Sequence, residues 1–122
     1  MQNKIVIIDD DTTLLKTLVD FFTEKHYEVY GADSGHQGLE YIYDKKPVII
    51  LLDIMMPEMN GLDVIKDISN TDKSLLKNII IMTNAAEMDY LSEALELGVS
   101  NYLIKSDMSL ETLLDKVHAF AV

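Results

Sequence analysis

Short runs of apolar, mostly β-branched residues alternate along this chain with segments whose apolar positions recur every three or four residues. Lys4 to Ile8 carries Ile5-Val6-Ile7-Ile8 without a polar break, the pattern of a strand covered on both faces. Leu14, Leu15, Leu18, Val19 and Phe22 then form one stripe of a helix that Thr12 or Asp11 can cap. Tyr27 to Ala32 predicts a second strand, and Leu39, Ile42 and Tyr43 mark a second helix, opening near Ser34 and closing before Lys46-Pro47. Val48 to Leu52 is again continuously apolar and predicts a third strand. A loop with Pro57 and Asn60-Gly61 leads into a helix carrying Val64, Ile65 and Ile68 that ends near Asn70. Strand Asn78 to Met82, helix Ala86 to Leu97 stopped by Gly98, and strand Asn101 to Ile104 follow. A last helix places Leu110, Leu113, Leu114, Val117 and Phe120 on one face.

Strand and helix alternating five times predicts an α/β fold in which a five-stranded parallel sheet carries helices on both faces. A flavodoxin-like, doubly wound (βα)5 order of 2-1-3-4-5 makes strands 1 and 3 neighbours and places the reversal of strand order between them. The acidic pair Asp9-Asp10 follows the first apolar run and Asp53 follows the third. All three carboxylates are thereby delivered to the carboxyl edge of one sheet, where ligands of open α/β folds collect. Carboxylates crowded into a partly desolvated crevice repel one another and call for a cation, so the first reading is a divalent-metal site.

Composition narrows the function classes. With 122 residues, 48% hydrophobic and 25% charged, the chain has room for about one domain. Its 21 acids face 10 lysines and no arginine, a formal charge of −11, which argues against contacts with a nucleic-acid backbone. Without cysteine there is no disulfide framework and no thiol chemistry. Lys4 precedes only four apolar residues, too few for a leader, and no apolar run is long enough to cross a membrane, so neither membrane insertion nor export is expected and the expected compartment is the cytoplasm.

These residues resemble the receiver domains of two-component response regulators over essentially the whole chain, residues 1–122. The matching pieces are Asp9-Asp10, the segment Asp53-Ile54-Met55-Met56-Pro57 with Gly61 after it, Thr83 at the end of strand 4, and Tyr102 three residues before Lys105 at the end of strand 5. The resemblance implies that Asp53 takes a phosphoryl group from a sensor histidine kinase or a histidine phosphotransfer protein, as an aspartyl phosphate. It implies Mg2+ held by Asp10 and Asp53 directly, by Asp9 through water, and by the backbone carbonyl of Met55. Lys105 is implied to pair with Asp53 at rest and with a phosphoryl oxygen afterwards, while Thr83 donates its hydroxyl to the phosphoryl group and Tyr102 rotates inward. The output is implied to be protein binding by the face of helix 4, strand 5 and helix 5, with a downstream partner the sequence does not name. Exposed Asp89, Glu93, Glu96, Glu111 and Asp115 make that face acidic.

Two positions depart from the family pattern. Ser106 stands where proline usually follows the lysine, which predicts a trans Lys105-Ser106 bond, because a cis bond to serine costs about 2.5–4 kcal/mol. Asn84 stands beside the phosphorylation site in place of a small residue. Only Ala119 to Val122 follow the last apolar stripe, so the expectation is a stand-alone receiver similar to chemotaxis-type or phosphorelay regulators, with no enzymatic role beyond handling its own phosphoryl group; a receiver excised from a longer kinase or regulator is the alternative. Two other readings compete from outside the family: a small flavodoxin-like metal-dependent phosphatase, which wants an acid where Met55 stands, and an FMN-binding flavodoxin, whose phosphate Asp9-Asp10-Asp11 would repel.

Overall fold

The computed structural model describes residues 3–121. Five parallel strands, β1 (Lys4–Ile8), β2 (Glu28–Ala32), β3 (Ile49–Asp53), β4 (Ile79–Thr83) and β5 (Asn101–Ile104), pair in the order β2-β1-β3-β4-β5. The helices α1 (Thr12–Glu24), α2 (Gly35–Lys45), α3 (Gly61–Thr71), α4 (Met88–Glu96) and α5 (Leu110–Ala121) connect and follow them. This is the doubly wound, flavodoxin-like architecture expected, with the order reversing between β1 and β3.

The continuous apolar runs resolve into two cores by the two-residue alternation of strand side chains. Val6, Ile8, Ile50, Leu52, Ile79 and Ile81 face α2, α3 and α4, meeting Leu39, Ile42, Ile65 and Leu91. Ile5, Ile7, Ile49, Leu51, Ile80 and Met82 face the opposite side, where Leu18 and Phe22 of α1 and Leu113 and Val117 of α5 close over them. Every strand residue from Ile49 to Asp53 and from Ile79 to Thr83 is buried, which is why those strands read as unbroken apolar runs.

Several boundaries differ by a residue, for reasons of backbone hydrogen bonding. Asp53 and Thr83 are polar but belong to their strands, because Asp53 pairs with Met82 and Thr83 with Ile104. Tyr27 is apolar and buried yet lies outside β2, its N–H donating to Phe22 O at the end of α1. Val48 precedes β3, and Asn78 belongs to a 3₁₀ turn, Lys73–Asn78, that the period analysis does not predict. A second 3₁₀ turn, Ala85–Glu87, replaces the first residues expected of α4. Asp11 rather than Thr12 is the N-cap of α1, accepting from the N–H groups of Thr13 and Leu14. Gly98, at φ +116°, ends α4 in a conformation that a side chain would strain. The Lys105-Ser106 peptide is trans, as expected from the missing proline.

Candidate phosphoacceptor site

Strand register assembles the site. Ile8 pairs with Leu52, so the next residues, Asp9 and Asp53, leave neighbouring strands side by side. Asp53 pairs with Met82, which carries Thr83 one step further along β4, and Thr83 pairs with Ile104, which carries Lys105 one step beyond that. Polar side chains from four strands therefore meet at one edge, on both sides of the point where strand order reverses.

Asp9 is fully buried and Asp53 is 3% exposed, whereas Asp10 is exposed. One carboxylate oxygen from each of the three lies within 4.8 Å of the other two. Such a group of oxygen donors fits a hard divalent cation such as Mg2+ or Mn2+, and two buried carboxylates facing a single lysine leave negative charge uncompensated. Asp9 is held at both oxygens: Oδ1 accepts the Asp11 N–H at 2.9 Å and Oδ2 accepts the Lys105 ammonium at 3.1 Å. Lys105 also stands 3.4 Å from Asp53 Oδ1. The expected pairing of Lys105 with Asp53 is thus shared, and its hydrogen bond goes to Asp9, because Asp9 reaches closer and has no solvent to turn to.

Burial, more than any neighbour, pushes the Asp53 carboxyl up to about 7; the Asp9 charge adds to this and Lys105 opposes it. The repulsion expected from the clustering is therefore the second cause, and burial the first. Burial also works against the charge on Lys105, but Asp53 and Asp9 outweigh it and hold the ammonium above the usual lysine value. The loop after Asp53 is clamped from below: Gly61 N–H donates to Ile54 O at 2.8 Å, and a Cβ on Gly61 would stand 2.7 Å from Ile54 Cα and 2.8 Å from Asp53 O. No side chain larger than hydrogen fits there without moving the backbone that carries the carboxylate.

Of the other residues singled out in the sequence, Met55, Asn84 and Tyr102 are exposed whereas Thr83 is not. Thr83 is fully buried and its hydroxyl donates to Asn84 O at 3.1 Å. Met55 and Tyr102 are each 39% exposed, so Tyr102 stands outward in this conformation. Asn84 is exposed, and its N–H donates to Glu87 Oε1 at 3.0 Å. Glu87 escaped the sequence reading, although the Asn84-x-x-Glu87 spacing is a helix-start signature that carried the signal. The acidic positions Asp89, Glu93, Glu96, Glu111 and Asp115 are all exposed as expected, and Glu93 also pairs with Lys66 of α3 at 3.7 Å.

Comparison with known proteins bears on what this edge does. A family model for the response regulator receiver domain matches residues 5–118. The chain is 34% identical over 106 residues to the chemotaxis protein CheY of Thermotoga maritima, covering 86% of this chain and 87% of that one. It is 31% identical to the sporulation initiation phosphotransferase F of Bacillus subtilis, covering 86% of this chain and 83% of that one. Among solved structures, a CheY-like receiver domain protein from Methanospirillum hungatei superposes with a TM-score of 0.86 at 25% identity, covering 98% of this chain and 93% of that one. Neither the phosphatase nor the flavodoxin alternative finds support in these matches. The chain belongs to the response regulator receiver domain family, the phosphoacceptor domains of two-component signalling.

Proposed function

We propose that Asp53 is the phosphoacceptor of this receiver, and that residues 1–122 act as one signalling domain around it. The observation that carries this reading is the joint placement of Asp9, Asp10 and Asp53 within 4.8 Å, with Lys105 against two of them. Asp53 is the member of the cluster that is both buried and at the end of the central strand, with Lys105 beside it to balance incoming charge. In the transfer, the N–P bond of a phosphohistidine donor breaks as an O–P bond to Asp53 forms, and the donor imidazole leaves neutral after taking a proton. The protein's task is positioning and charge neutralisation.

Asp10 and Asp53 would hold Mg2+ directly and Asp9 through water; the thioether of Met55 is a poor ligand for a hard cation, so its backbone carbonyl is the group offered. When bound, the ion supplies charge neutralisation to the carboxylates and the phosphoryl oxygens. Lys105 is a mobile point charge that can leave Asp9 for a phosphoryl oxygen. Thr83 would donate its hydroxyl to the same group, and each such charge-assisted bond contributes roughly 1.5–3 kcal/mol. The bond from Thr83 draws the β4–α4 loop inward, which gives Tyr102 room to turn in and changes the face formed by α4, β5 and α5, where a downstream protein binds. The source of the phosphoryl group is a sensor histidine kinase or a histidine phosphotransfer protein.

Acetyl phosphate with Mg2+ and no kinase tests the assignment. Intact-mass spectrometry should show a single added phosphoryl group, labile to hydroxylamine, greatly slowed by chelator and absent in Asp53→Asn. A stable phosphate on Ser106, Thr83 or a histidine, with Asp53 unmodified, would overturn it.

A further inference from the structure

The β4–α4 loop is tied by three bonds that converge on one residue. The Asn84 N–H donates to the Glu87 carboxylate at 3.0 Å, the Glu87 N–H donates to Asn84 O at 3.0 Å, and the Thr83 hydroxyl donates to that same Asn84 O at 3.1 Å. A threonine hydroxyl has one proton, so while it serves Asn84 it cannot serve a phosphoryl group on Asp53. Glu87 stands at the N-cap of α4, yet its side chain makes no capping bond there. Its carboxylate is turned back onto Asn84 instead, although the N–H groups and positive end of α4 offer it a second position.

We propose that Glu87 is a latch on the switch: its carboxylate holds the Asn84 N–H, and through the Asn84 backbone, whose carbonyl accepts the Thr83 hydroxyl, it keeps Thr83 in the resting geometry; its release toward the first turn of α4 accompanies activation. The proposal rests on Asp53 being the phosphoacceptor and Thr83 its hydroxyl donor. Glu87 is a positioning residue here, since it acts through Asn84 and Thr83. A single bond favouring the resting state can only shift the population by its own net contribution. Loss of that bond raises the fraction of molecules able to place Thr83 on the phosphoryl group, and with it the labelling rate.

The test compares wild type, Glu87→Ala and Glu87→Gln in the full chain, reading the rate at which acetyl phosphate with Mg2+ labels Asp53 and the hydrogen exchange of the Asn84 amide. Glu87→Ala should label roughly three- to tenfold faster than wild type and lose protection at Asn84, the span set by one modest hydrogen bond. Glu87→Gln keeps an oxygen acceptor but no charge, and should stay nearer the wild type in both readings. Equal acceleration in the two variants would mean that removing a charge near an anionic donor is the whole effect, and would overturn the latch. So would a Glu87→Ala protein that loses Asn84 protection but labels at the wild-type rate. A wild type that is not labelled at Asp53 strikes instead at the phosphoacceptor assignment, and the latch falls with it.

Discussion

The two sides of the site are built differently. On the β1–β3 side the polar groups are buried and held: Asp9 accepts bonds at both oxygens, Lys105 spans Asp9 and Asp53, and Gly61 is pressed against the backbone that carries Asp53. On the β4–β5 side Thr83 is buried but the groups around it are not, since Asn84, Met88 and Tyr102 are exposed and a short 3₁₀ turn takes the place of a full helical turn. The first side is preorganised for chemistry, because moving any one group leaves another buried and unpaired unless a cation or a phosphoryl group takes its place. The second is held by a few bonds that water can replace, which is the property a two-state element needs. Chemistry and readout are thus divided between a rigid half and a movable half that share only Thr83 and Lys105.

The largest effect should come from breaking the rigid half from beneath. Gly61→Ala places a Cβ against Ile54 Cα and Asp53 O, so the backbone must shift, at a cost of roughly 3 kcal/mol by the usual scale of overpacking. Denaturant unfolding should show this loss together with slower labelling of Asp53, whereas substitutions at the exposed positions of the movable half, such as Asn84 and Met88, should leave stability almost unchanged.

Next in size is the charge held on Asp53. Its carboxyl is raised to about 7 in the folded, metal-free protein, above the value near 4 of an unfolded chain. Protonation therefore favours the fold: the destabilisation is absent below about pH 4, grows as the pH rises toward 7, and is complete above it. Asp53→Asn should stabilise the metal-free protein at pH 8 by roughly 2 kcal/mol, with the gain fading as the pH is lowered to about 4. A gain that is the same at both values would place the effect elsewhere than in this titration.

Smaller again is the response to metal. Mg2+ at about ten times its dissociation constant should add about 1.4 kcal/mol, or roughly 4 to 6 °C in Tm for a domain of this size. Asp10→Ala should abolish that gain while leaving the metal-free melting curve nearly where it was, since Asp10 is exposed. Identical curves with Mg2+ and with chelator would count against the cluster as a metal site.

The rigid half was the more legible one in the sequence. Apolar runs that end abruptly in Asp9-Asp10 and Asp53 announce both the strand and the polar residue at its edge, and parallel pairing then fixes which residues meet. The single-residue boundary shifts at Asp53, Thr83, Tyr27 and Val48 arise because hydrophobicity reports burial, while strand membership is decided by backbone pairing. The movable half was less legible for a physical reason. Its bonds run from backbone groups to nearby side chains, as in Asn84 to Glu87, and such bonds leave no period in the hydrophobic pattern. The Lys66–Glu93 pair and the share of Lys105 taken by Asp9 depend on tertiary distances that no local spacing encodes.

The division between chemistry and readout is tested most directly through Thr83, the residue both halves use. Fluorine NMR of 3-fluorotyrosine-labelled protein, with the Tyr102 resonance assigned by Tyr102→Phe, can follow the ring as acetyl phosphate and Mg2+ are added. In the wild type the Tyr102 signal should move as Asp53 is labelled. In Thr83→Ala, Asp53 should still acquire its phosphoryl group by mass while the Tyr102 signal stays at its resting position. A Thr83→Ala protein whose Tyr102 signal moves as far as the wild type's at equal labelling would contradict the account.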